Sequence, residues 1–187
     1  MNNLWDVPIS SIVSLSPERA ITVIRAILRA ECAYAKLRPS VLTISDRLMT
    51  PDGGIDAEVN TSHGKIQEDC IFQSGITGFQ IKSGTTFKPW TSSSIRGELL
   101  NSKGALCSEV ERLIKRKGHY TIICTGHDLT PQQRNDAQSL IAGIFSEKGI
   151  EGYEGEVDVL GASQLVEFAE RYPCVFLPTM NTDFRPS

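Results

Sequence analysis

The sequence predicts an α/β (α+β) protein built on one mixed sheet flanked by helices. Three observations lead there: a capped amphipathic helix near the start, several short β-branched runs separated by Gly- and Pro-bearing turns, and a back half in which strand and helix patterns alternate. The 187 residues, 40% apolar and 22% charged, suit a single ordinary globular domain over 1–187 whose core needs no covalent staple.

In Ser16-Pro17-Glu18 a capping hydroxyl precedes a proline at the first helical position, and helical periodicity then runs from residue 16 to about 37, before Pro39. The apolar stripe of this helix, Ile24, Ile27 and Leu28, continues through Glu31 to Ala35, so a carboxylate interrupts the buried face. Residues 41–45, 55–60, 68–73 and 78–83 have period-2 or β-branched character and read as an antiparallel meander; Pro51-Asp52-Gly53-Gly54, Ser62-His63-Gly64 and Ser74-Gly75 supply the turns. No helix opens after Asp52-Gly53-Gly54, so these glycines read as a turn rather than a phosphate cradle. Residues 91–117 place Ile95, Leu99, Leu106, Val110, Leu113 and Ile114 at helical spacing, in two pieces broken near Gly104. A buried-type strand over 119–125 follows. Thr130-Pro131 then opens a helix that buries Ala137, Leu140, Ile141, Ile144 and Phe145 before Gly149. A strand over 156–160 and a short helix over 163–172, ended by Pro173, complete the order. The end, Phe184-Arg185-Pro186-Ser187, carries no finishing element, which predicts the front domain of a longer protein.

Composition excludes several classes. The five cysteines, Cys32, Cys70, Cys107, Cys124 and Cys174, are odd in number and form no C-x-x-C pair, so neither a disulfide framework nor a zinc ribbon is indicated and a reducing cytoplasm fits. The start lacks the basic and apolar regions of a signal peptide, and no run of apolar residues reaches membrane length. His63, His119 and His127 are scattered without zinc spacing; a G-x-S-x-G elbow and a Walker A loop are both absent. Net charge is −3, unevenly spread: residues 82–118 hold eight Lys/Arg against three Glu, or +5, leaving 11 basic against 19 acidic residues, or −8, elsewhere. An acidic body with one basic segment fits a polyanion partner or, equally, a solvated helix face. Arg112, Lys115, Arg116 and Lys117 suit DNA backbone contact or the negative end of a helix dipole. Trp90, near Lys88, suits base stacking or a place in the core.

The chemistry is concentrated in two strands. In Gly54-Ile55-Asp56-Ala57-Glu58-Val59, the residues Ile55, Ala57 and Val59 share one face and leave Asp56 and Glu58 on the other. In Phe79-Gln80-Ile81-Lys82-Ser83, Gln80 and Lys82 lie opposite Phe79 and Ile81. Pairing these strands with their apolar faces together gathers a carboxylate, an amide oxygen and an ammonium into one patch. Mg²⁺ or Mn²⁺ takes oxygen ligands from one or two carboxylates, keeps waters, and activates one of them toward a phosphodiester. Asp56, Gln80 and the carbonyl of Ile81 are the candidate metal ligands, with Lys82 to orient the water or stabilise developing charge. Glu31 is either an added acid beside the cation or a helix-edge carboxylate reaching solvent or arginine; Glu58 is either a further ligand or an exposed strand glutamate.

Gly54-Ile55-Asp56 and Gln80-Ile81-Lys82 resemble the motif of the PD-(D/E)XK nuclease superfamily, with Gln in place of the second acid as in Mrr-like restriction nucleases and nuclease domains fused to bacterial antiphage proteins. The resemblance covers residues 16–126. It implies a restriction-endonuclease-like α-β-β-β-α-β core in which Asp56 and Gln80 hold the metal, Lys82 assists the attacking water, and Glu31 matches the helix-borne acid of some members. One fewer negative charge at Gln80 implies weaker metal affinity. Residues 118–124 and 168–173 also resemble the N-terminal effector nucleases of antiviral STAND NTPases. The expected activity is metal-dependent cleavage of DNA, double-stranded and with little sequence specificity, in bacterial antiphage defence. An unrestrained nuclease would attack its own genome, so activity is expected in an oligomer assembled through C-terminal sensor or NTPase domains. The competing expectations are a non-catalytic nucleic-acid or protein-binding module on this scaffold, and an RNA endonuclease with the same core.

Overall fold

The computed structural model describes residues 7–44, 53–61, 66, 69–153 and 156–173. Ser45, Pro51, Asp52, the Ser62-His63-Gly64 turn, Glu68, Cys174 and the chain end lie outside them. Helix α1 (Ile9–Val13) leads into α2 (Pro17–Tyr34), a short 3-10 turn (Pro39–Val41), and strands β1 (Leu42–Ile44), β2 (Ala57–Asn60) and β3 (Ile76–Lys82). Helices α3 (Ser92–Leu99) and α4 (Ser108–Lys115) connect to β4 (His119–Cys124), α5 (Pro131–Glu147) to β5 (Val157–Leu160), and α6 (Ala162–Arg171) follows.

The strands form one mixed sheet in the order β1-β2-β3-β4-β5, antiparallel from β1 to β3 and parallel from β3 to β5. An antiparallel pair can close with a tight turn, whereas a parallel pair needs a crossover, which α3–α4 and α5 provide. Helices α1, α2 and α6 cover one face, through Ile12, Ile24, Ile27, Leu28 and Leu165 against Val59, Phe79 and Ile123. Helices α3, α4 and α5 cover the other, through Ile95, Leu113, Ile141 and Phe145 against Tyr120 and Ile122. Burying an aliphatic side chain of this size contributes about 1.5–3 kcal/mol. Strand β4, central and parallel to both neighbours, is accordingly buried on both faces.

The caps behave as their residue types require. Ser16 Oγ accepts the Arg19 N–H, and Thr130 and Gln133 form a reciprocal capping box at the start of α5. The break near Gly104 separates α3 from α4, and Gly104 has φ +72°. In the turn before β2, Gly53 and Gly54 have φ +66° and +93°, which selects glycine there.

One element is added and one expectation is corrected. Helix α1 has no strong sequence signal, being five residues long and serine-rich; burial of Ile12 against the α2 and α6 side of the core holds it in place. The strand expected over 68–73 is absent among its described residues: 69–73 form turns and bends. Cys70, Ile71 and Phe72 are buried consecutively rather than alternately, because the segment folds over the core. Its polar groups are met by side chains, with the Ile71 N–H on Glu31 and the Gln73 N–H on Thr77. Among the described residues the meander therefore has three strands. Among the described residues no helix is long and apolar enough to cross a membrane.

At the carboxyl ends of β3 and β4 the two exiting loops touch. A Cβ at Gly126 would stand 1.9 Å from the Gly84 carbonyl oxygen. Since backbone rather than a flexible side chain would have to yield, Gly126→Ala is expected to cost about 2–3 kcal/mol, read as a lower midpoint in thermal or urea unfolding. Gly84→Ala is no silent control, since its φ of +75° disfavours alanine.

Candidate functional site

The register of β2 on β3 pairs Ala57 with Phe79 and Glu58 with Gly78. Ala57, Val59, Phe79 and Ile81 therefore pack toward α2, and Glu58, Gln80 and Lys82 point to the α3–α4 side. Asp56 stands one residue ahead of β2. Its N–H donates to the Phe79 carbonyl at 2.8 Å, and its Oδ2 accepts the Ile81 N–H at 2.6 Å. The N–H and C=O of one strand residue project to the same edge, so the Ile81 carbonyl is aimed to the Asp56 side. Asp56, Gln80, Ile81 and Lys82 all line one open cleft of about 880 Å³, together with Gly53, Gly54, Glu98 of α3, and Cys107, Ser108 and Glu111 at the start of α4.

Sequence reading missed Glu98, the residue that organises this cleft. Its Oε2 lies 2.5 Å from Lys82 Nζ and accepts from Gln80 Nε2 at 2.8 Å. The Tyr120 hydroxyl donates to Gln80 Oε1. Burial, and then the carboxylates of Glu98 and Asp56, push the Tyr120 hydroxyl well above its ordinary pKa, so it stays a neutral donor. That fixes the amide: oxygen to the hydroxyl, NH₂ to the carboxylate. Gln80 thus positions Glu98 and keeps one oxygen lone pair beyond the Tyr120 bond. A sign of Glu98 was available, since it lies three residues after Ile95 and beside Leu99, at the edge of the buried stripe of α3. Cys107 donates to the Glu98 carbonyl; burial first and Glu98 second raise its pKa, with Lys82 opposing, which keeps it a thiol.

The structure does not bring Glu31 to this cleft. On α2 and fully buried, it accepts from the Ile71 N–H at 2.9 Å, Arg171 Nη1 at 3.0 Å and the Tyr172 hydroxyl at 2.6 Å. Its place on the apolar stripe is explained by these three donors, which join α2, the 69–73 segment and the end of α6. Glu58 is likewise taken up, by Arg112 at 2.6 Å and Arg116 at 3.5 Å. The basic segment 82–118 is mostly neutralised: Lys82, Arg96, Arg112, Lys115 and Arg116 all pair with carboxylates. Trp90 is half-buried against the α5 side of the core, edge-on to His127 at 5.0 Å.

The donor set suits a hard cation. Asp56 and Glu98 supply carboxylates and Ile81 and Gln80 carbonyl oxygens, with neither imidazole nor thiolate arranged among them. Among the described residues no three His, Cys, Asp or Glu side chains cluster as a metal site. Mg²⁺ needs no such cage, since it binds through one or two carboxylates and retains waters. No family model, curated protein or solved structure matches the chain.

Proposed function

We propose that this chain is a metal-dependent endonuclease that hydrolyses DNA phosphodiesters, acting on duplexes with little sequence specificity as a cytoplasmic effector in bacterial antiphage defence. The observation that carries this reading is the single cleft shared by Asp56, Gln80, Ile81 and Lys82, the residues on which the resemblance to PD-(D/E)XK nucleases rests. The defence role rests on the looser resemblance to effector nucleases of antiviral STAND NTPases, and assembly through further domains on the need to restrain such an activity.

Asp56, the Ile81 carbonyl and Glu98 would hold Mg²⁺ or Mn²⁺, with the remaining lone pair of the Gln80 oxygen directed to the same ion. Bound there, the cation supplies an activated water and offsets charge on the phosphate. Lys82 places an ammonium at the cleft to orient that water and to meet charge on the non-bridging oxygens. Water oxygen adds to phosphorus, one ester P–O bond breaks, and the departing oxygen takes up a proton. Glu98 supplies the second negative charge that Gln80 lacks, which makes Glu98→Gln a stringent variant. It is isosteric, keeps Gln80 a polar partner, and is expected to raise the Mg²⁺ concentration for half-maximal cutting by about tenfold or more.

The test is plasmid degradation with Mg²⁺ or Mn²⁺ against an EDTA control, with tRNA offered beside duplex DNA. Metal-dependent nicking of the plasmid supports the reading. Cleavage of tRNA alone favours an RNA endonuclease with the same core. The closed Lys82–Glu98–Gln80–Tyr120 network gives the non-catalytic binding module its own support, and binding without cutting under every condition favours it.

A further inference from the structure

If the cleft cuts DNA, a backbone must reach it, and the basic segment 82–118 is largely occupied by its own carboxylates. Within that segment Lys88, Lys103 and Lys117 are exposed with no carboxylate partner among the described residues, and a further group of cations lies on and just after α2. Helix α2 and the turn after it carry Arg19, Arg25, Arg29, Lys36 and Arg38; the acids in the same stretch are Glu18 and the buried, already bonded Glu31. Arg29, Lys36 and Arg38 are exposed and have no ion-pair partner among the described residues.

The placement of this charge is directional. Pro17 and Ile21 line the Asp56–Lys82 cleft, while Arg25 and Arg29 line a second hollow of about 430 Å³ bounded by Leu37, Pro39, Leu42 and Ile44. These four α2 residues recur every fourth position and so form one row along the helix. From Ile21 to Arg29 the row rises about 12 Å, a length of duplex axis that carries about three to four phosphates of one strand. We infer that the outer row of α2 and the turn that follows it, with Arg29 on the helix and Arg38 between the hollow-lining Leu37 and Pro39 as contacts, is the track on which the backbone of a DNA duplex lies as it enters the cleft. The inference rests on the nuclease reading and adds to it the surface that holds the substrate. Backbone contacts of this kind position a duplex without reading its sequence.

The experiment is fluorescence anisotropy of a labelled DNA duplex in EDTA across a salt series, followed by cleavage rates in Mg²⁺, for the wild type, Arg29→Ala, and Arg29→Ala with Arg38→Ala. Alanine is the better helix former at residue 29, so folding is not at risk. Each lost phosphate contact is expected to lower the log–log salt slope by about 1, and the double change by about 2. The DNA concentration for half-maximal cutting is expected to rise several-fold, with the saturating rate unchanged. Lys148→Ala removes the same charge beyond α5 on the opposite face and is expected to leave the slope at its wild-type value. Wild-type slopes in the α2 variants, an equal loss in Lys148→Ala, or tighter binding of an RNA duplex by the same residues would each overturn the proposal while leaving cleavage intact. A wild type that neither binds nor cuts DNA removes the nuclease reading itself, and this surface with it.

Discussion

Lys82→Ala is expected to slow metal-dependent DNA cleavage by about 10²–10⁴-fold, the range lost when a positioned proton-transfer or charge-stabilising group is removed. The fold has little stake in this ammonium. Among the described residues its ion-pair partner is Glu98, both side chains are about a quarter exposed, and Glu98 keeps its bond to Gln80 when the lysine goes. Loss of rate at an unchanged unfolding midpoint is therefore the expected pair of results. Metal affinity separates the two halves of the site. Removing a cation beside Glu98 leaves the cleft more negative, so Lys82→Ala is expected to bind Mg²⁺ at least as tightly as wild type. Asp56→Ala removes a ligand and is expected to weaken binding as well as rate. Calorimetric Mg²⁺ titration beside plasmid cutting reads both. Equal cutting by wild type and both variants would remove the proposed site; equal metal affinity for Asp56→Ala would remove this carboxylate from the metal.

Glu31→Ala is expected to do the reverse: lower stability with cleavage per folded molecule unchanged. The change strands the Ile71 N–H and the Tyr172 hydroxyl and leaves the Arg171 guanidinium without its buried partner. Arg171 is about a third exposed and keeps Asp69 at 3.2 Å, which limits its share of the cost. The expected loss is about 2–4 kcal/mol, or roughly 2–4 °C of melting temperature per kcal/mol in a chain of this size. Glu31→Gln keeps one acceptor oxygen, enough for Arg171 and Tyr172, but loses the charge and turns an NH₂ toward the Ile71 N–H, so an intermediate loss is expected. A variant that stayed as stable as wild type but stopped cutting would return Glu31 to the site.

The two acids show how far side-chain periodicity reads. Glu31 and Glu98 both sit on or beside a buried helical stripe, and both are drawn inward for that reason. Which of them meets Lys82 depends on which face of the sheet each helix covers, and α2 and α3 cover opposite faces. That depends on crossover geometry among residues far apart in the chain, to which a local pattern is blind. The 68–73 segment misled for a related reason. Its apolar run is real and buried, but its N–H groups are met by Glu31 and Thr77 rather than by a neighbouring strand. The charge count is blind in the same way, since net +5 over 82–118 does not reveal that Glu58 and Glu147, distant in sequence, neutralise part of it.

The order of strands and long helices, the two-faced pattern of β2 and β3, and the meeting of Asp56 with Gln80 and Lys82 all follow from alternation, capping and turn residues, which act over a few positions. Tertiary structure alone decided that Glu98 enters the cleft, that Glu31 instead ties α2 to the end of α6, and that Arg29 on α2 stays exposed with no ion-pair partner among the described residues. Those outcomes depend on through-space distances between helices on different layers, where a charge finds its partner by packing rather than by spacing.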